Sequence, residues 1–133
     1  MKNIYKNMNE FELNQQKIII SVFNELKEDI ENNKSTMHKL GYAQRTELYK
    51  HVNNGYNNHE NLNKARNEWE QNGIRNKVIT WIYNLFVENR DIFGYFENYE
   101  QIKLEIDSLI ERSKVNEMYD ITHYLTEWRN KLP

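Results

Sequence analysis

Apolar residues recur at intervals of three and four along the first quarter of the chain: Phe11, Ile18, Ile19, Val22, Phe23, Leu26 and Ile30. That spacing stacks them on one face of a helix. The run Ile18–Phe23 alone also suits a strand, but the longer register from Phe11 to Ile30 favours a helix from Asn9 to about Asn33. Asn9 is placed to cap it, with Glu10 and Glu12 near the positive end of the helix dipole. Asn32, Asn33 and Ser35 then interrupt the pattern. A short helix is predicted over Thr36–Leu40, stopped by Gly41, and another over Ala43–Val52, ended by Asn53-Asn54-Gly55. Residues 53–61 read as a polar loop. A helix over residues 60–71 places Leu62, Ala65 and Trp69 on one side, and Asn72-Gly73 signals its end. The most apolar helix follows, Ile74–Asn89, in which Val78, Ile79, Trp81, Ile82, Leu85 and Phe86 cover a wide arc and predict a central position. After an aromatic, irregular stretch at 92–99, Asn98 and Gln101 have the spacing of a capping box. Ile102, Ile106, Leu109 and Ile110 mark a helix to about Ser113. Met118, Ile121, Leu125 and Trp128 mark the last, about Asn116–Asn130. Pro133 is the only proline, so no helix is broken internally. The expectation is all-α: a compact single-domain bundle of five to seven helices spanning residues 1–133, with Trp69 and Trp128 in its core.

Composition narrows this picture. An apolar fraction of 38% is low, but 13% aromatics and a net charge of −2 argue against disorder. Large rings bury much area per residue and offset the shortage of aliphatics. Without Cys there is no disulfide, thiolate metal site or Cys nucleophile. No apolar run is long enough to span a bilayer, and residues 1–17 are polar without a secretory apolar core, so a cytoplasmic location is expected. Asn occurs 21 times and Ala twice. That usage suggests an AT-rich coding sequence and a phage or other mobile element of low-GC bacteria.

Charge then singles out the middle of the chain. Residues 34–77 hold eight Lys or Arg against four Glu, a net +4, while residues 1–33 and 78–133 carry −2 and −4. Such asymmetry bears on partners, not on fold. Within the basic segment Tyr42, Tyr49 and Tyr56 fall seven residues apart, and Tyr95 and Tyr99 follow in the aromatic stretch. Tyr gives large, rigid, amphipathic contact area at interfaces. Paired with cations it also suits single-stranded nucleic acid, where rings stack on bases.

The stretch 40–52 (Leu-Gly-Tyr-Ala-Gln-Arg-Thr-Glu-Leu-Tyr-Lys-His-Val) resembles the turn and recognition helix of helix-turn-helix DNA-binding proteins. The resemblance implies that Gln44, Arg45 and Thr46 face bases and that Lys39 and Lys50 face phosphates. Glu47 departs from the pattern, standing where the family places a buried aliphatic. Arg45 and His51 also form Arg-x5-His, similar to the motif of HEPN-type ribonucleases, all-α domains of comparable size. That resemblance implies Arg stabilising charge on a phosphodiester and His moving protons. His51, His59 and Glu60 fall short of a zinc set, which needs three or four converging ligands. No motif calls for a cofactor or a metal.

The leading expectation is a small non-enzymatic binding module that inhibits a host protein, such as a CRISPR nuclease or another nucleic-acid enzyme, by surface docking. Its expected contact residues are Tyr42, Arg45, Tyr49, Lys50, Tyr56, Tyr95 and Tyr99. An acidic C-terminal half imitating phosphates (Glu97, Glu100, Glu105, Asp107, Glu111, Glu117, Asp120) is a second mechanism. Direct DNA reading through 40–52 and a HEPN-type activity are the alternatives, and homodimerisation is open.

Overall fold

The computed structural model describes residues 9–133; that part of the expected leaderless start falling on residues 1–8 lies outside them. Among the described residues there are four helices and no strand: α1 (Glu10–Asn53), α2 (His59–Glu88), α3 (Tyr99–Val115) and α4 (Tyr119–Arg129). The all-α expectation holds, but five to seven helices do not. None of the four is long and apolar enough to cross a membrane.

The difference lies at three predicted stops that do not stop anything. Asn32–Ser35 and Gly41 lie inside α1, a single helix of 44 residues. Asn72-Gly73 lies inside α2, of 30 residues. Asn, Ser and Gly are weak helix formers, not breakers, and tertiary contact outweighs a propensity deficit of about 1 kcal/mol. Proline, the residue that would have enforced a break, occurs only at the C-terminus. The N-terminal cap is as expected, with Asn9 Oδ1 accepting from the Glu12 N–H at 2.8 Å. The capping box at α3 does not form: the Asn98 side chain makes no cap, and Gln101 Nε2 donates to Glu105 instead.

The core gathers at one end. Ile19, Val22, Phe23 and Leu26 from α1 meet Val78, Ile79, Ile82, Leu85 and Phe86 from α2, with Ile102, Ile106 and Ile110 from α3 and Leu125 and Trp128 from α4 closing over them. The irregular stretch before α3 adds Phe96, fully buried against Phe23 and Phe86. Its backbone is clamped by the buried Gln16, whose amide donates to the Phe96 carbonyl at 2.8 Å and accepts from its N–H at 2.9 Å. This satisfies a buried amide and two backbone groups at once. Thus one residue of the 92–99 stretch is core, while Ile92, 82% exposed, is not. Arg129 holds Asp107 across the α3–α4 pair at 2.8 Å, and Arg75 holds Asp29 across α1–α2.

That core cluster, with the apolar side chains packed on it, ends at Ile30 on α1 and resumes at Val78 on α2. Between them α1 and α2 continue as an antiparallel hairpin. Among the described residues no ion pair links residues 34–70 to α3 or α4, and the hydrogen bonds that tie α4 to α2 are those of Asp120 and Tyr124 to Gln71. The bundle is therefore not uniformly compact: a two-helix arm extends from a four-helix core. From Lys34 to Asn53 the arm's first helix is about 30 Å long at 1.5 Å per residue.

Candidate functional site

The arm is held by small contacts instead of a broad apolar face. Leu62 and Ala65 are its buried apolar residues on α2. Gly41 is buried on α1, and a Cβ there would lie 3.6 Å from Trp69 Nε1, so the glycine lets the indole lie close against α1. Trp69 is thus a cover over the helix contact, 38% exposed, and not the core residue its amphipathic spacing predicted; Trp128 is core. Asn33 and Asn72 each bury an amide nitrogen with no hydrogen-bond partner among the described residues. Both fall between the Asp29–Arg75 and Gly41–Trp69 contacts, where the core hands over to the arm.

At the far end His51 closes the hairpin. It is buried, and its Nδ1 accepts from the Asn58 N–H at 3.0 Å, so its other ring nitrogen carries the proton when the ring is neutral. The Tyr56 N–H donates to the His51 carbonyl at 2.8 Å, and the rings of Tyr56 and His59 pack edge-on to the imidazole at 5.4 and 4.4 Å. Tyr56 takes a left-handed φ of 63° beside Gly55 at 64°, the conformation that turns the chain back. Asn58 Nδ2 donates both to the Glu47 carbonyl and to its carboxylate, at 3.0 and 2.8 Å. The Asn58 hydrogen bond holds the Glu47 carboxyl below the ordinary carboxylate range. Glu47, where helix-turn-helix proteins bury an aliphatic, is here a loop clasp.

The outward face of α1 in the arm carries the residues that composition singled out. Lys39, Tyr42, Arg45, Thr46, Tyr49 and Lys50 fall within about 140° of arc on a helix of 3.6 residues per turn. Tyr42 and Tyr49 are 68% and 72% exposed, and Tyr56 at the tip is 64% exposed. Among the described residues neither Lys39 nor Arg45 belongs to an ion pair, whereas Lys50 reaches Glu47 at 3.5 Å. Gln44 is half-buried and shares the register of Gly41 and His51, on the α2 side.

Other expected residues lie elsewhere. Tyr95 and Tyr99 are half-buried beside the core. Tyr99 donates to Gln15 Oε1, and burial pushes its phenol above the usual range. Gln15 and Tyr42 lie on one unbroken helix 27 positions apart, about 40 Å along its axis. The seven expected contact residues therefore do not form one face: Tyr42, Arg45, Tyr49, Lys50 and Tyr56 share the arm, and Tyr95 and Tyr99 do not.

The two motif resemblances lose their geometry. Residues 36–52 are one continuous helix, so there is no turn to set a recognition helix against a preceding one. The Arg45 guanidinium lies over Gly41 beside the Trp69 indole, while His51 closes the hairpin tip with Nδ1 occupied, so the Arg-x5-His pair does not converge on a cleft. Among the described residues no cluster of three or more His, Asp or Glu is arranged to hold a metal ion.

The acidic half is locally neutralised at several of its positions. Asp107 pairs with Arg129, Glu100 with Lys103, Glu111 with Lys114, and Asp120 accepts from Gln71. No family model matches this chain, and neither a curated protein nor a solved structure matches it. Geometry and chemistry are what its function can be argued from.

Proposed function

We propose that the protein is a non-enzymatic docking module whose projecting arm grips another protein through Tyr42, Arg45, Tyr49 and Tyr56, with Lys39 and Lys50 steering toward an acidic surface. The observation that carries this reading is the exposed Tyr pair on a helix face that the core does not need for its own burial. Exposed Tyr beside cations, of which Lys39 and Arg45 have no ion pair among the described residues, combines a rigid contact area with long-range attraction. In the acidic half, by contrast, carboxylates already hold cations of their own, which disfavours phosphate imitation. Composition adds the setting: a phage or mobile-element protein acting on a host target by occupying its surface, with a nucleic-acid enzyme as the favoured class.

The test compares the wild-type chain with Tyr42→Ser/Tyr49→Ser as bait in a low-GC bacterial lysate treated with nuclease. Both side chains are exposed, so the double variant should keep its stability to within about 0.5 kcal/mol per site. The docking reading expects one host protein retained by the wild type and lost by the variant. Equal retention by both baits would remove the arm from the interface. Recovery of nucleic acid alone, falling steeply with salt, would mean that the cations bind phosphates and the tyrosines stack on bases.

A further inference from the structure

A second feature lies away from the arm and stands or falls independently of it. Between α2, α3 and α4 a cleft of about 440 Å³ opens beside the α3–α4 turn. Trp81, Leu109, Ile121 and Leu125 are among its walls, and the buried Ser113, its hydroxyl already bonded to Thr122 and to the Ile110 carbonyl, also lines it. Two charged side chains line it, Lys77 and Arg112, and no carboxylate does. Neither cation has an ion-pair partner among the described residues, although residues 78–133 carry a net charge of −4. A half-open apolar cleft between bundle helices, of small-molecule volume and with a few polar groups on its walls, has the form of a ligand pocket. Two unpaired cations from facing helices favour an anionic head over a neutral or cationic one.

We propose that this cleft binds a small amphiphilic carboxylate: an acyl chain or aromatic body lies against Trp81 and Leu125, and the carboxylate meets Lys77 and Arg112. Concavity favours such a molecule over a protein surface, which would lie across the cleft without filling it.

The test is calorimetric titration with decanoate, decanol and decylammonium below their aggregation thresholds, repeated with phenylpropanoate, while amide NMR shifts locate the contact. The expected result is saturable decanoate binding, with shifts confined to residues 74–81 and 109–125 and decylammonium at least tenfold weaker. In Lys77→Gln/Arg112→Gln, decanoate should weaken at least tenfold and decanol should not change. Both substituted residues are exposed, so the variant should fold. Phenylpropanoate separates an aromatic from an acyl body, the tighter of the two acids naming the class. Equal affinity for the acid, the alcohol and the amine would overturn the proposal, as would no binding of either acid. Shifts spread over the arm, or decanoate binding unchanged in the double variant, would do the same.

Discussion

His51 illustrates how residue identity misleads when position is ignored. In sequence it is half of an Arg-x5-His pair; in the structure its Nδ1 closes the hairpin on the Asn58 N–H. His51→Leu should therefore loosen the arm by about 1 kcal/mol, the net value of a hydrogen bond, and leave the core alone. Hydrogen exchange would show this as faster exchange over residues 44–62 with unchanged protection at 79–86 and 102–110; uniform acceleration would tie the arm to the core. Glu47 predicts a pH response of the same clasp. Its carboxyl is lowered in the fold by the Asn58 hydrogen bond, so this contribution is fully present above the ordinary value near 4.5 and fades as pH falls below it. Protection at the Asn58 and Tyr56 amides should drop on acidification through that window in the wild type but stay flat in Glu47→Gln. None of this was legible beforehand, because Asn58 and His51 meet only once the chain has turned. Phe96 was equally hidden: in an aromatic run nothing local says which ring the core takes, and Gln16, 80 positions away, decides it.

At the scale of elements, periodicity located every helical stretch and placed three boundaries where the helices run on. The apolar registers of α3, α4 and the core halves of α1 and α2 are legible because large aliphatics at spacings of three and four are a strong signal, but Phe11 and Ile18 at the flank of the α1 stripe, Trp81 on α2 and Met118 before α4 are exposed and outside the core. In the arm the inward positions are Asn33, Met37, Gly41, Gln44 and His51, so apart from Met37 the register continues in polar and small residues that a hydrophobic pattern does not see. Gly41 and Gly73 then look like stops. Their environment gives opposite predictions for the two readings. In a helix interior Ala is better than Gly by roughly 0.5–1 kcal/mol. A Cβ at Gly73 meets open space and one at Gly41 makes ordinary contacts at 3.5 and 3.6 Å. Gly41→Ala and Gly73→Ala should each raise the melting temperature. If either glycine were a left-handed helix stop, alanine would lower it. Asn33 and Asn72 point the same way: each leaves a buried amide nitrogen unpaired, so Asn33→Leu should stabilise the hairpin in denaturant unfolding, at a cost in the register that a polar layer helps to specify.

For the molecule as a whole, the reversal of charge along the sequence becomes a division in space. The net +4 of residues 34–77 falls on the arm and its root, and the acidic segments fall on the core end. Composition therefore located the exposed Tyr42–Tyr56 face without any motif, while adding Tyr95 and Tyr99, which are half-buried around the core residue Phe96. The central claim is that the basic, Tyr-bearing segment projects as two unbroken helices. Small-angle X-ray scattering on the chromatographically isolated monomer tests it most directly. A compact chain of 133 residues would have a radius of gyration of about 14 Å. With α1 unbroken over 44 residues, the maximum dimension should reach at least about 66 Å and the radius of gyration should stand clearly above the compact value. A near-spherical profile with a radius of gyration near 14 Å would mean that α1 and α2 fold back on themselves, and the arm and its docking face would not exist.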